Sequence, residues 1–582
     1  MPGFRSTPPR GDRTAGVPCA VLMLMLAALP AWAVDIQVDV LGDPVPNGCT
    51  PGSCSLREAV SLANSLAGPD RIVLPATPGV PLQLTIPGNN ENANATGDLD
   101  VLDDLEIVGT GAAGTVLVQT IADRVLHTNM PRDRRLVLRG LTIQGGSASQ
   151  GGALYTQSLT TIEDAAFVGN TASSEGGAVH FTASYDPAIL ETRLVLRRVR
   201  FEDNAATQAN GAYGGALHAT SFITGAPVAA IEDCQFIGNS SKSGGGAVLL
   251  SGSINWAGGD VAVRRSLFLA NSSGGSGGAA LMATSSSFGL RIEDSLFDGN
   301  VTTSSVPSGA GAINLDRYLS VVMLRSTVSS NSGNRGGAMR STFWPVQVID
   351  SHFVDNTAAF AGGALWGASQ LTVKRSTFES NRVASTSSAD DGGGAIGFSG
   401  TGLDVRDSTF SGNDAFRGGA ISLVAGEMRL IGNTLAAPAF GMTGRLGTAV
   451  RIVDADPDNA LIFTTNIVSG SCTFSSGGRE LTAAYANIEA PGNGCRFTSA
   501  LSNGQNQVSA TSAQLALAPL AENGGPTPTR LPGAGSIAVD LGGANNCAPT
   551  DQRGYARIDG LCDIGAVEVG AIPDALFGHG FD

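Results

Sequence analysis

The 582-residue sequence predicts an all-β fold, a right-handed parallel β-helix with a short N-terminal α-helical cap. Three observations predict it. The first is a unit that recurs roughly every 25 to 35 residues. Each unit carries Phe-x-x-Asn: Phe167/Asn170, Phe201/Asn204, Phe236/Asn239, Phe268/Asn271, Phe297/Asn300, Phe353/Asn356, Phe378/Asn381 and Phe410/Asn413, with Val328/Asn331 as a ninth. A Gly-Gly-Ala element follows, beginning for example at Gly151, Gly176, Gly214, Gly245, Gly277, Gly336 and Gly418. A helical repeat tolerates little variation in length, whereas a coil of short strands accepts insertions at its bends.

The second observation is phase. Positions −7 and −5 before the Phe are mostly apolar, as in Leu194/Leu196, Val261/Val263 and Val346/Val348, which is strand periodicity. Position −2 is small and in phase with the Phe, so parity breaks between −5 and −2. It breaks again between the Phe and the Asn. Short strands separated by bends stack as a parallel coil, Phe on Phe and Asn on Asn. The third observation is position −3: Asp164, Arg198, Asp233, Arg265, Asp294, Arg325, Asp350, Arg375 and Asp407 alternate in sign without exception. In-register rungs would set each Asp between two Arg, and a slip by one rung would oppose like charges. The column is therefore expected to fix register. The right-handed sense rests on the preference of parallel crossovers together with the family resemblance given below.

Composition excludes other classes. Charged residues are 15%, too few for a coiled coil, and the 78 glycines show no three-residue period. Taken along the chain, residues 1–33 carry Arg5, Arg10 and Arg13, then the apolar run Val17–Leu29 and Ala31-Trp32-Ala33, the pattern of a secretory signal. Residues 34–68 form the cap. Ser55-Leu-Arg-Glu58 is a capping box, and Leu56, Ala59, Val60 and Ala63 give one apolar helical face. Residues 69–470 are the coil, starting with Arg71–Leu74, Leu105–Val108 and Leu136–Leu138. Residues 471–569 close the solenoid, and 570–582 are a tail. Export permits disulfides. Short separation favours Cys49 with Cys54, Cys472 with Cys495 and Cys547 with Cys562, although sequence alone leaves other pairings open. Cys234 occupies a position otherwise held mainly by Ser and reads as a buried structural thiol.

Cys54-Ser-Leu-Arg-Glu-Ala59 resembles the signature of the CSLREA-domain family of secreted bacterial proteins, and Gly97-Asp-Leu-Asp-Val101 resembles the segment that follows it there. The repeat units resemble those of chlamydial-type polymorphic outer membrane proteins and other right-handed β-helices. Pro519–Thr527, Asp551-Gln-Arg-Gly554 and Cys562–Glu568 are similar to the choice-of-anchor Q domain. The resemblance implies an exported or surface-displayed β-helix and carries over no catalytic residue.

The net charge of −15 repels phosphate backbones and excludes nucleic acid as a partner. After the signal no apolar run is long enough to span a membrane as a helix. The chain contains no His-Glu-x-x-His or Cys-x-x-Cys. Tyr155, His180, His218, Leu249, Leu281, Asn314, Arg340 and Trp366 share one repeat position. That strip is expected to face solvent, with Tyr155, His180, His218 and Trp366 as candidate ligand contacts. Asp98, Asp100 and Asp103 form a candidate calcium site, the sole cofactor suggested, although their spacing also fits a solvated face. These features predict a secreted or cell-surface monomer acting as an adhesin or binding module for an extracellular glycan or cell-surface partner, with no catalytic residue. The alternative is a polysaccharide lyase or glycoside hydrolase of the same fold. An autotransporter passenger would need a C-terminal membrane barrel, which 471–568 does not resemble.

Overall fold

The computed structural model describes residues 34–88, 91–183, 193–221, 229–252, 261–285, 289–304, 308–316, 320–343, 345–387, 392–436, 448–475, 479–543, 547–557 and 561–571. The predicted export segment and nearly all of the tail lie outside these residues. The chain is a parallel β-helix whose strands stack into sheets of 29, 15 and 9 strands. One rung illustrates the rest. Strands Val248–Gly252 and Val261–Arg264 both belong to the longest sheet, Leu267–Leu269 to the fifteen-strand sheet, and Ser272–Ser273 to the nine-strand sheet. In two later rungs the first two strands fuse into the single strands Ile396–Arg406 and Ile421–Ile431. Among the described residues, fifteen rungs contribute to the fifteen-strand sheet.

The bends fall where parity breaks. Every member of the charge column has positive φ, from 44° at Arg325 to 55° at Asp233. A second bend has positive φ two residues after the Phe (or Val328), at Asp203, Ala270, Ser330, Asp355 and Ser380. The Gly-Gly corner uses its two glycines differently. The first takes positive φ, as at Gly176 and Gly362. The second lies so close to the next rung that a Cβ would strike backbone, Gly177 against the Gly215 carbonyl and Gly363 against that of Gly394.

Register is like to like. Phe201, Phe236, Phe268 and Phe297 are successive Cα partners, followed by Val328 and Phe353. Phe236 and Phe268 stack with ring centroids 4.7 Å apart and planes 7° apart. The asparagines form a buried ladder: the Asn239 side-chain amide donates to Asn271 Oδ1 at 3.0 Å and to the Phe201 carbonyl at 3.0 Å. The small residues at −2 form another, each hydroxyl accepting the backbone N–H one rung below, from Ser266 through Ser408. Asn433, Asn466 and Asn487 continue it with side-chain amides. Cys234 begins this column fully buried, and burial pushes its thiol up to about 12, so it remains protonated.

The charge column pairs in twos rather than evenly. Arg198, Arg265, Arg325 and Arg375 each form a two-pronged contact with the Asp one rung below, at 2.6–2.9 Å. The arrangement expected there, an Arg bridging both neighbours, occurs one residue earlier. Arg139 bridges Glu106 and Glu163, Arg197 bridges Glu163 and Glu232, and Arg264 bridges Glu232 and Glu293. These positions are extended strand, so the side chain stands off the sheet and reaches up and down alike. Such solvent-facing pairs stabilise by about 0.2–1 kcal/mol each, so their main contribution is register.

Asp407 departs from the column: it is buried, and Arg557 of the C-terminal region lies 3.7 Å away. Burial pushes its carboxyl up to about 6 despite that cation. Asp407 marks where the C-terminal region docks. From about residue 511 the chain turns back along the flank of the coil rather than closing its end. Gln552 donates to Thr377 Oγ1 at 2.8 Å and accepts from Thr409 Oγ1 at 2.6 Å, while Ala566 N–H donates to Thr434 Oγ1 at 3.1 Å. Leu515, Ala538 and Ile564 pack on Ile467 and Ile488 in a second apolar cluster.

At the other end, helix Leu56–Ser65 is capped by Ser55, whose backbone N–H donates to Glu58 Oε2 at 2.9 Å while its hydroxyl accepts from Glu58 N–H. The helix packs against strands Asp70–Val73 and Leu99–Val101. The coil starts earlier than expected, since Asp35–Gln37 pairs in parallel with Arg71–Val73. All three favoured disulfides form: Cys49–Cys54, Cys472–Cys495 and Cys547–Cys562.

Candidate functional site

The strip singled out from sequence is a true column of register partners. It runs Asp100, His127, Tyr155, His180, His218, Leu249, Met282, Asn314, Arg340 and Trp366. Met282 stands where Leu281 was expected. In that unit the corner falls one residue later, and Leu281 is the inward partner of Val248.

The strip does not face open solvent. His180 is 3% exposed and His218 is 5% exposed. The residues just before three successive Gly-Gly corners, Gln150, Glu175 and Tyr213, are aligned beside the column. Both Glu175 and the histidines follow from the same corner: Gly176, at φ 62°, turns the chain so that Glu175 lies across the strand that Val179 begins. Tyr155, His180 and His218 stand together. The Tyr155 ring stacks on His180 with centroids 5.0 Å apart, and His180 meets His218 edge to face at 5.0 Å. His127 closes the other side of Tyr155 at 5.4 Å. Trp366 lies five rungs further on, with the Arg335 and Arg340 guanidinium carbons each 5.4 Å from its ring centre.

Each histidine uses its outer nitrogen locally. His180 Nε2 is 2.9 Å from Thr182 Oγ1 and His218 Nε2 is 3.1 Å from Ser251 Oγ. Their Nδ1 atoms are buried without a hydrogen-bond partner, 3.7 Å and 3.4 Å from Glu175 Oε2. Burial and the neighbouring His218 push the His180 imidazolium down to about 3, so the ring is neutral at ordinary pH. Gln150 donates to Glu175 Oε2 at 2.7 Å.

Beneath this group lies a cleft of about 450 Å³ lined by Glu91, Asp98, Asp123, Arg124, His127 and Ser147 among others. Arg124 organises it. Its guanidinium reaches Asp98 Oδ2 at 3.1 Å and the Gln150 carbonyl at 3.1 Å, and sits 5.3 Å from the Tyr155 ring centre. Burial raises the carboxyls of both Asp98 and Asp123 above the usual range. His127 Nδ1 lies 3.0 Å from Asp100 Oδ1. The three carboxylates suggested for calcium are not pooled. Asp98 faces Arg124, Asp100 faces His127, and Asp103 faces Arg134 at 2.9 Å, so each has a separate partner.

The sequence pointed to His180 and His218 but missed Glu175, Asp123 and Arg124. The available signal was position: Glu175 directly precedes a Gly-Gly corner, and Asp123 and Arg124 lie three to four residues before His127. No family model and no curated protein matches the chain.

The family-like motifs acquire structural roles. Arg57 of the Cys54–Ala59 hexapeptide is fully buried, forks onto Asp43 at 2.8 and 2.9 Å, and donates to the Gly97 carbonyl at 2.8 Å, tying it to the Gly97–Val101 segment. In Asp551–Gly554, Asp551 accepts from Arg553 Nη2 at 2.7 Å and from Glu568 N–H at 3.1 Å, while Gln552 grips the threonine column.

Proposed function

We infer that this chain is an exported β-helix acting as a binding module, with the Asp98–Arg124–His127 cleft holding a polar extracellular ligand of the glycan class. One observation carries the inference. The cleft presents an ordered set of donors and acceptors fixed by one another, with Arg124 anchored simultaneously to Asp98, to backbone carbonyls and beside Tyr155. Preorganised polar groups of this kind suit hydroxyl-rich ligands. Contact would be by hydrogen bonding rather than by stacking on the aromatic strip, because the Tyr155 ring is covered by His180 and His127. Three disulfides fit an oxidising compartment. Among the described residues no helix is long and apolar enough to cross a membrane.

A second reading, glycan cleavage, draws on one feature: Asp98 and Asp123 line the same cleft and both have raised carboxyls, the raised-acid condition of a glycosidase pair. Incubation of residues 34–582 with a polysaccharide panel separates the two. Retention without new reducing ends or unsaturated uronates is expected, with Arg124→Ala weakening retention about 30-fold or more. Product formation that disappears in Asp98→Asn or Asp123→Asn overturns the binding reading.

A further inference from the structure

We propose that Glu175, His180 and His218 form a site for a single divalent transition-metal ion of the zinc class. The site adjoins the glycan cleft, sharing Gln150 as a neighbour, but the cleft's lining contains none of its three ligands. The three side chains come from three strands: Thr171–Glu175 in the nine-strand sheet, and Val179–Ala183 and Leu217–Ser221 on adjacent rungs of the longest sheet. Among the described residues they are the one set of three metal-competent groups whose donor atoms all lie within 4.8 Å of one another.

Four features point to a cation rather than to a simple hydrogen-bonded cluster. The first is orphaned nitrogen. Both Nδ1 atoms are buried, on side chains only 3% and 7% exposed, and neither has a hydrogen-bond partner. Native interiors rarely leave such atoms unmatched. The second is distance. Nδ1–H donation to Glu175 would require about 2.7–3.2 Å, whereas the separations are 3.7 and 3.4 Å. Two ligands of a tetrahedral zinc, each about 2.0–2.1 Å from the metal, stand about 3.3 Å apart. The third is tautomer. The hydroxyls of Thr182 and Ser251 stand at hydrogen-bond distance from the two Nε2 atoms and can each accept an Nε2–H. That leaves the lone pair on Nδ1, facing the carboxylate, and second-shell partners of this kind orient metal-binding histidines. The fourth is access. Glu175 is partly exposed while the imidazoles are covered, so an ion can reach the nitrogens past the carboxylate.

The donor set selects the metal. Two imidazoles and one carboxylate suit zinc, whereas calcium and magnesium require more oxygens than the site offers. Three protein ligands leave a fourth position for water. The ion would pin the strand that precedes the Gly176 corner to two successive rungs, at the point where the repeat changes from aromatic to aliphatic residues along the column.

The test uses residues 34–582, stripped with chelator and titrated with Zn²⁺ by calorimetry, with Co²⁺ as a spectroscopic probe. One ion per chain is expected, with the visible absorption of four-coordinate Co²⁺. His180→Ala/His218→Ala should abolish binding and Glu175→Gln should weaken it at least about tenfold. His352→Ala, whose imidazole lies 3.2 Å from Glu379 elsewhere in the coil, should leave it unchanged. Glu175 is partly exposed, so its variant keeps the test valid if the double-histidine variant does not fold. No binding by the parent chain at about 100 μM Zn²⁺, or binding unchanged in both variants, overturns the proposal.

Discussion

Asn271→Ala should destabilise its stretch of the coil by about 2–6 kcal/mol, far more than its size suggests. Asn271 is fully buried and serves three rungs at once. Its Oδ1 accepts from the Asn239 backbone N–H at 2.9 Å and from the Asn239 side-chain amide at 3.0 Å. Its own amide donates to the Phe236 carbonyl and to Asn300 Oδ1, each at 2.9 Å. Removing the side chain orphans two buried N–H donors below it, and each such group costs about 1–3 kcal/mol. Because each rung touches only its neighbours, the loss can appear as local opening rather than as global unfolding. Hydrogen exchange across 236–300, read together with urea unfolding, captures both. Ser272→Ala, at the next residue, should stay within about 0.5 kcal/mol. A cost below about 1 kcal/mol for Asn271→Ala contradicts the ladder as a stabilising element.

The second large effect lies at the cap. Arg57→Met should cost about 3–5 kcal/mol, because it leaves the Asp43 carboxylate buried without its counter-charge. It also frees the Gly97 carbonyl, and with it the hold on the segment leading into Asp98 and the cleft. Arg57→Lys should recover only part of the loss, since one ammonium cannot reproduce the two-pronged contact. The melting temperature and glycan retention should fall together in Arg57→Met. A melting temperature within a degree of the parent places the cap outside the cooperative unit.

Much of this architecture was legible in sequence because each column is written nine times over. Phe stacking, the Asn ladder and both bends follow from where parity breaks, and the bends at positions −3 and +2 carry the positive φ values that such breaks require. What covers a column was not legible. Parity separates the inward face from the outward one, but His180 and His218 face outward from the core and are still buried, because Glu175 folds across them from another sheet. The flank packing of the C-terminal region was equally hidden. Gln552 meets Thr377 across 175 residues through irregular backbone that carries no periodic signal. The bridging Glu–Arg ladder was in the sequence at position −4, but its alternation stops after Glu293, where Leu324 and Ile349 follow, so it did not stand out.

Register underlies every column described, and disulfide trapping measures it directly. Ser329 and Val354 are Cα partners on adjacent strands, which places them about 4.8 Å apart, within reach of a disulfide. Ser329→Cys with Val354→Cys should cross-link in the native chain under mild oxidation. Ser329→Cys with His352→Cys, two residues out of register and about 8 Å apart, should not. Cross-linking of the second pair in preference to the first would mean that the rungs do not stack like on like, and the ladders, the recessed histidines and the cleft would all lose their basis.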